Sequence, residues 1–150
     1  MMHGQQVPDP SSSGFVPALP HIMLTSDGQY RLHGLRCDAC ACIVEGERLA
    51  CPRCGNRKSL EIVPLATRGR VHVQTVVHRS FPGVKTPFVA VVVDLDDGAT
   101  VRGTLADVDP LGEVSQGLRV EMVFGDSGQR DPEGRPLVCY CFVPERRAAA

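Results

Sequence analysis

The sequence predicts a mostly-β protein, and three features of its composition point that way. The chain has 150 residues, 43% of them hydrophobic, but it contains no Trp and few other aromatic residues. Valine supplies much of the apolar content and clusters in the second half, and its branched Cβ suits a pleated sheet better than a helix. Fifteen Gly and twelve Pro add frequent turn signals. This length fits one small domain with an appendage.

The second half reads as the strands of a small closed sheet. Gly69 to Arg79 alternates with a period of two, which predicts Val71 and Val73 on one face. Pro87 to Leu95 is almost wholly apolar, so burial on both faces is expected, and the Asp-Gly signal after it predicts a hairpin turn. The other predicted segments are strands at Ala99 to Leu105, Val120 to Phe124 and Leu137 to Val143, and a polar loop from Gly125 to Pro136. A five-stranded OB-like or SH3-like barrel fits this pattern.

The two ends of the chain have little to bury. Residues 1–29 are predicted to be a flexible N-terminal arm, because the first twenty are rich in Pro, Ser, Gly and Gln. Residues 145–150 are predicted to be a disordered tail. No apolar run reaches the length of a membrane span, and the first residues lack the basic and apolar regions of a secretory signal. These observations predict a cytoplasmic protein.

Two Cys-x-x-Cys pairs carry the strongest chemical signal. They are Cys37 with Cys40 and Cys51 with Cys54, separated by ten residues. Each pair can present two thiolates to one ion, and two pairs complete a tetrahedron of the kind that structural zinc prefers. Four protein ligands leave no position for water, so the expected role is structural. The sequence therefore predicts a zinc ribbon at residues 30–60, followed by a barrel at residues 61–144, with Zn²⁺ as the cofactor.

The remaining thiols do not form a recognisable site. Cys42 is interpreted as a spare thiol, while Cys139 and Cys141 are interpreted as core residues because a free Cys behaves as a small hydrophobe. No nucleophile, acid–base pair or phosphate-binding motif stands out in the sequence. No catalytic residue is therefore assigned. A thiol enzyme that uses Cys139 or Cys141 remains as an alternative.

Charge divides the chain into two halves. From Arg31 to Lys85 there are ten basic and four acidic residues, whereas from Thr86 to Glu145 there are four basic and eleven acidic residues. The net charge of −1 gives no general signal for polyanion binding. The basic half is nevertheless able to attract a phosphate, and plain solvated surface is the alternative reading of the same residues.

A ribbon followed by an OB-like barrel resembles a known family, the acyl-CoA-associated OB-fold proteins once called domain of unknown function thirty-five. The likeness covers roughly Leu32 to Pro144. The segments that carry it are 34–40 (GLRCDAC), 51–55 (CPRCG), 69–78 (GRVHVQTVVH), 87–92 (PFVAVV), 117–122 (GLRVEM) and 142–144 (FVP).

The resemblance implies a partner rather than a reaction. Family members are small subunits of thiolase-like enzymes, namely thiolases, acyltransferases and retro-aldolases that act on acyl-CoA. The catalytic residues lie in the thiolase-like subunit, while the small subunit stabilises it and shapes the acyl-CoA entrance. The resemblance also implies the OB fold for the barrel. Within the basic half, the candidate contacts for a CoA phosphate are Arg68, Arg70, Arg79 and Lys85.

An alternative function is the binding of single-stranded nucleic acid, which OB folds and zinc ribbons often perform. That function needs aromatic side chains stacked along a basic groove. The barrel segment offers only Phe81, Phe88, Phe124, Tyr140 and Phe142, most of which are expected to be internal, and its second half is acidic. Nucleic-acid binding is therefore the less favoured hypothesis, and membrane association is not expected.

Overall fold

A computed structural model describes residues 14–146, and within that range the chain consists of strands, turns and loops without a helix. No helix of this range is long and apolar enough to span a membrane. The ten strands are β1 Val16–Pro17, β2 Ile22–Leu24, β3 Tyr30–Cys37, β4 Ile43–Glu45, β5 Leu60–Pro64, β6 Arg68–Val77, β7 Phe88–Leu95, β8 Thr100–Leu105, β9 Arg119–Arg130 and β10 Pro136–Pro144.

Strands β6 to β10 close into a five-stranded barrel. The order around it is β10-β8-β7-β6-β9, and β9 pairs with β10 to complete the ring. All neighbours are antiparallel except β10 and β8, which run parallel where Phe142 lies opposite Leu105. A closed five-stranded barrel of this kind is OB-like, so the predicted fold class is confirmed.

The barrel interior is filled largely by valine. Alternate residues of each strand point inward, as the two-residue period of a strand requires. Phe142 lies among these valines with none of its surface exposed. Tyr140 packs edge-on against Phe142, with ring centroids 6.0 Å apart, and its hydroxyl donates a 2.6 Å hydrogen bond to the Arg102 carbonyl. The buried valines are Val71, Val89, Val91, Val93, Val101, Val120 and Val138.

The ribbon packs directly on this barrel. β3 lies at its centre, between β4 and β2 on one side and β5 on the other. Tyr30 at the start of β3 stacks near Phe124 of β9, with ring centroids 6.1 Å apart, and Leu32 belongs to the same hydrophobic cluster as the barrel valines. β5 pairs with β3, so the ribbon extends to Pro64, beyond the predicted boundary at residue 60.

The segment predicted as a flexible arm differs from that expectation within residues 14–29. β1 runs parallel to β10, with Val16 opposite Leu137, and β2 pairs with β3. Ile22 is buried, and Phe15 and Leu19 pack against the core. Composition predicted disorder because the first twenty residues are rich in Pro, Ser, Gly and Gln, but the three apolar side chains give residues 14–29 a contact with the core. Residues 1–13 and 147–150, which complete the predicted arm and tail, lie outside the described range.

Two predicted details of the barrel strands were wrong. The register of β6 on β7 shifts between Val71 and Val73, which is the signature of a β-bulge. The extra residue reverses the alternation, so Val71 is buried whereas Val73 is 51% exposed. The predicted polar loop from Gly125 is mostly strand, because β9 continues to Arg130. A short turn then leads into β10, held by a 2.8 Å bond from the Arg135 amide to Asp131 Oδ1.

Candidate metal centre

The four ribbon cysteines sit on two turns of equivalent backbone geometry. In the first turn, the Ala41 amide donates to the Cys37 carbonyl and the Cys37 amide donates to the Cys42 carbonyl. In the second turn, the Gly55 amide donates to the Cys51 carbonyl and the Cys51 amide donates to the Asn56 carbonyl. Each turn therefore brings its two sulfurs to the same side, and β3, which ends at Cys37, fixes where the first turn begins.

The four sulfur atoms have the spacing of a metal site. All four lie within 4.8 Å of one another. The Cys37–Cys54 and Cys40–Cys51 sulfur pairs are each 3.6 Å apart, far beyond a disulfide bond of about 2 Å. A tetrahedron with Zn–S bonds of about 2.3 Å needs sulfur–sulfur distances of about 3.8 Å. The arrangement and the donor type thus fit a tetrahedral thiolate centre.

Hydrogen bonds in the turns favour the thiolate form of two of these residues. The Asn56 side-chain amide donates to the Cys37 sulfur at 3.5 Å, and this contact, with backbone amides of the same turn, lowers the pKa of Cys37 to about 6. The backbone amides of Cys54 and Arg53 lower the pKa of Cys51 in the same way. Because a metal binds the thiolate and not the thiol, these amides prepare the site for a cation.

The fifth ribbon thiol and the two barrel thiols stand apart from this cluster. Cys42 is not one of the clustered ligands, and burial raises its pKa. Cys139 and Cys141 alternate along β10 with the inward-facing Val138, Tyr140 and Phe142; Cys141 is buried, and Cys139 is partly buried and packs against the hydrophobic core. Burial raises the pKa of Cys141 to about 11, and also that of Cys139, which makes both of them poor nucleophiles at neutral pH.

The four basic residues predicted to contact a CoA phosphate lie at two separate places. Arg68 is within 3.9 Å of Glu121 and 3.5 Å of Glu145, and Arg70 donates to the Gly117 carbonyl at 3.3 Å. Arg79 and Lys85 belong to the exposed loop that joins β6 to β7. A strand rises about 3.3 Å per residue, so Arg70 lies roughly 23 Å from the end of β6 at Val77, after which the loop with Arg79 begins. The structure does not bring the four together.

One polar pocket was not predicted from the sequence. It has a volume of about 490 Å³ and lies beside β4, where His21 Nε2 is 2.8 Å from Glu45 Oε1 and His33 Nε2 is 3.6 Å from Glu47 Oε1. The two histidines become neighbours because β2 pairs with β3, and β2 falls within the segment that composition assigned to the flexible arm. No sequence motif marks them.

Comparisons with known proteins place the chain in a family. The family model described as the C-terminal OB-fold domain of ChsH2 matches residues 62–125. A DUF35 domain-containing scaffold protein of Methanocaldococcus jannaschii is 30% identical over 119 residues, which cover 77% of this chain and 83% of that protein. A second such scaffold protein, from Pyrococcus furiosus, is 32% identical over 118 residues, covering 77% and 85% of the two chains.

The chain belongs to the DUF35 family of scaffold proteins. A solved structure titled Ltp2-ChsH2(DUF35) aldolase contains a similar DUF35 chain, with 28% sequence identity and a TM-score of 0.61. The match covers 76% of this chain and 84% of that one. The family resemblance read from the cysteine turns and barrel segments is therefore confirmed, and that DUF35 relative is part of an enzyme complex.

Proposed function

We propose that this chain is a non-catalytic accessory subunit of a thiolase-like enzyme that acts on acyl-CoA. The observation that carries the proposal is its similarity, over most of both chains, to the DUF35 chain of an aldolase complex. Among the described residues, the candidate thiol nucleophiles outside the ribbon, Cys139 and Cys141, have raised pKa values. Chemistry supplied by a second protein accounts for both findings.

The ribbon is proposed to hold one structural zinc ion. Cys37, Cys40, Cys51 and Cys54 would fill all four coordination positions, so the ion would support folding and would not activate water. The Asn56 and backbone donors around the sulfurs support this assignment, because they stabilise thiolate charge. Zinc suits four thiolate ligands and needs no redox partner.

The contact with acyl-CoA is proposed at the exposed loop between β6 and β7. Arg79 and Lys85 are the basic residues of this exposed loop, whereas Arg68 and Arg70 lie on β6. A loop that projects from a rigid barrel is suited to shaping the mouth of a partner's substrate tunnel. We propose that the complex works in the cytoplasm.

Co-expression tests the proposal. The full tagged chain is expressed with each thiolase-like protein encoded in its source genome, and complexes are sized by light scattering. We expect one stable hetero-oligomer, in which the partner gains solubility and acyl-CoA turnover that neither subunit shows alone. A purified chain that turns over acyl-CoA unaided, or that forms no complex with any of these proteins, would contradict the proposal.

A further inference from the structure

Strand β6 has one side that the barrel leaves unpaired. It pairs with β7 along its length, but with β9 only from Arg68 to Arg70. Next to that pairing, Val71 exchanges backbone hydrogen bonds with Gly117 and Leu118. Further on, Gln74 donates a side-chain hydrogen bond to the Val114 carbonyl at 2.7 Å. Within residues 14–146, no strand pairs with residues 73–77 on the side away from β7.

An unpaired strand of this kind is a template for another strand. In an antiparallel pair, alternate residues direct their N–H and C=O groups away from the partner, and here no described strand pairs with those groups. Proteins usually protect such edges with Lys, Pro or a covering segment. Residues 73–77 read VQTVV, without charge or proline, and Val73 is 51% exposed.

The surface beside this edge is apolar and basic. In the loop after β6, Phe81 is 83% exposed and Val84 is 46% exposed. The chain from Val71 to Val93 contains no Asp or Glu, while the loop carries Arg79 and Lys85. Asp94 pairs with Arg70 in the first half of β6, and Glu113 precedes Val114, whose carbonyl accepts from Gln74 at the start of the edge, so the loop end of the edge is the more basic one.

We infer that residues 73–77 of β6 accept an extended segment of the catalytic subunit as an added strand. Backbone hydrogen bonds would supply affinity, and Val73 and Phe81 would contact apolar side chains at alternate positions of the incoming segment. The loop favours a segment with an acidic residue at the end nearest Arg79. This inference rests on the proposed function and adds to it the face by which the chain docks.

Two double variants at exposed apolar side chains test the inference. V73E/F81E places carboxylates on the edge and the loop, whereas L49E/L111E places them on side chains that are 93% and 72% exposed elsewhere. The probe is the thiolase-like subunit obtained by co-expression, and the dissociation constant is measured by calorimetry. We expect V73E/F81E to bind at least tenfold more weakly and L49E/L111E to bind within threefold of the unaltered chain.

Hydrogen exchange locates the contact directly. In the complex, the outward-facing amides of residues 73–77 should exchange at least tenfold more slowly, while the amide of Leu111 should not change. If V73E/F81E binds no metal or shows no cooperative thermal unfolding, the variant T75K is used instead, because Thr75 is exposed and lies on the same strand.

Three outcomes would overturn the inference while leaving the accessory role intact. In the first, V73E/F81E binds the subunit as tightly as the unaltered chain does, and the amides of residues 73–77 gain no protection in the complex. In the second, the unaltered chain forms a homodimer that V73E/F81E does not form. In the third, a single-stranded oligonucleotide binds the unaltered chain but not V73E/F81E. Failure of the unaltered chain to form any complex would instead remove the proposed function itself.

Discussion

The ribbon and the barrel adopt the same kind of secondary structure but are held together by different means. Between His33 and Leu60, the buried side chains are Leu35, Cys37 and Cys51, so two of the three are metal-ligand candidates. The barrel instead buries a continuous set of valines around Phe142. A short β-ribbon buries too little apolar surface to offset its chain entropy, so we propose that a metal bound by the clustered cysteines supplies the difference. The barrel needs no such help.

The largest expected effect is the loss of a ribbon cysteine. Cys51→Ser removes one of four ligands, and structural zinc contributes on the order of 10 kcal/mol to such ribbons. We expect the metal to be lost and amide protection to disappear from residues 37–56, while barrel amides stay protected. Hydrogen exchange with metal analysis measures both. Cys42→Ser is the control and should keep the metal; a ribbon that stays protected in Cys51→Ser would show that packing alone holds it.

The second-largest expected effect is the loss of stability when the buried ring of Phe142 is removed from the barrel. Phe142→Ala empties a fully buried aromatic site and should lower the free energy of unfolding by about 3–5 kcal/mol in urea denaturation. The matched change Phe81→Ala removes an exposed ring and should cost less than about 0.5 kcal/mol. Folded Phe142→Ala protein should keep its full metal content. A fall in metal content at low denaturant would mean that the two regions unfold as one unit.

A smaller effect is expected at the connection between the regions. Asp97 accepts hydrogen bonds from the amides of Ala66, at 2.7 Å, and Ala99, at 3.1 Å, which ties the linker after β5 to the β7–β8 turn. Asp97→Ala leaves both amides without this acceptor and should cost about 1–3 kcal/mol in urea denaturation. Asp97→Asn retains one oxygen acceptor and should cost less. Equal losses in the two variants would exclude the hydrogen bonds as the cause.

The two cysteine turns carry different residues directly after their second cysteine, and this difference predicts a stabilising change. Ala41 has a φ of 61°, while its counterpart Gly55 has a φ of 75°. An alanine in this region is strained and glycine is not, so Ala41→Gly should stabilise the metal-bound ribbon by about 1 kcal/mol or less. Gly55→Ala should weaken it. Chelator competition compares the metal affinities, and no change in either variant would mean that the turns relax freely.

The smallest expected effect is a pH-dependent loss of stability when the ion pair between Arg119 and Asp96 is removed. Arg119 donates two hydrogen bonds to Asp96, at 2.7 and 3.0 Å, and this contact lowers the pKa of the Asp96 carboxyl. A carboxyl whose pKa is depressed by folding contributes stability above its unfolded pKa near 4, and that contribution is lost as pH falls through the folded pKa. Arg119→Gln should therefore reduce stability at pH 6 more than at pH 2, as measured by thermal unfolding.

The sequence predicted the four-cysteine cluster and the barrel well because each depends on local spacing. Two Cys-x-x-Cys turns restrict four sulfurs to one volume whatever surrounds them. The apolar run 87–95 and the Asp-Gly turn likewise identified β7 and its hairpin, although only one face of β7 is fully buried. The confirmed family resemblance then selected the OB fold from the two barrels that fitted.

The errors arose where distant contacts override local signals. The bulge at His72 reverses the faces of β6, and no residue type marks it beforehand. β1 lies on the barrel because Phe15 and Leu19 pack against its core, and composition alone does not predict this contact. The placement of Arg68 beside Glu121 and Glu145 depends on the register of β6 with β9, so its ion pairs were not predictable from charge alone.

The most direct test of the account is X-ray absorption of the purified chain together with its zinc content. The account predicts one zinc per chain with four sulfur neighbours at about 2.3 Å and no oxygen neighbour, which is the signature of a closed structural site. A spectrum with an oxygen ligand, or less than one tightly bound ion per chain, would contradict the view that this ribbon supports a partner's chemistry without performing its own.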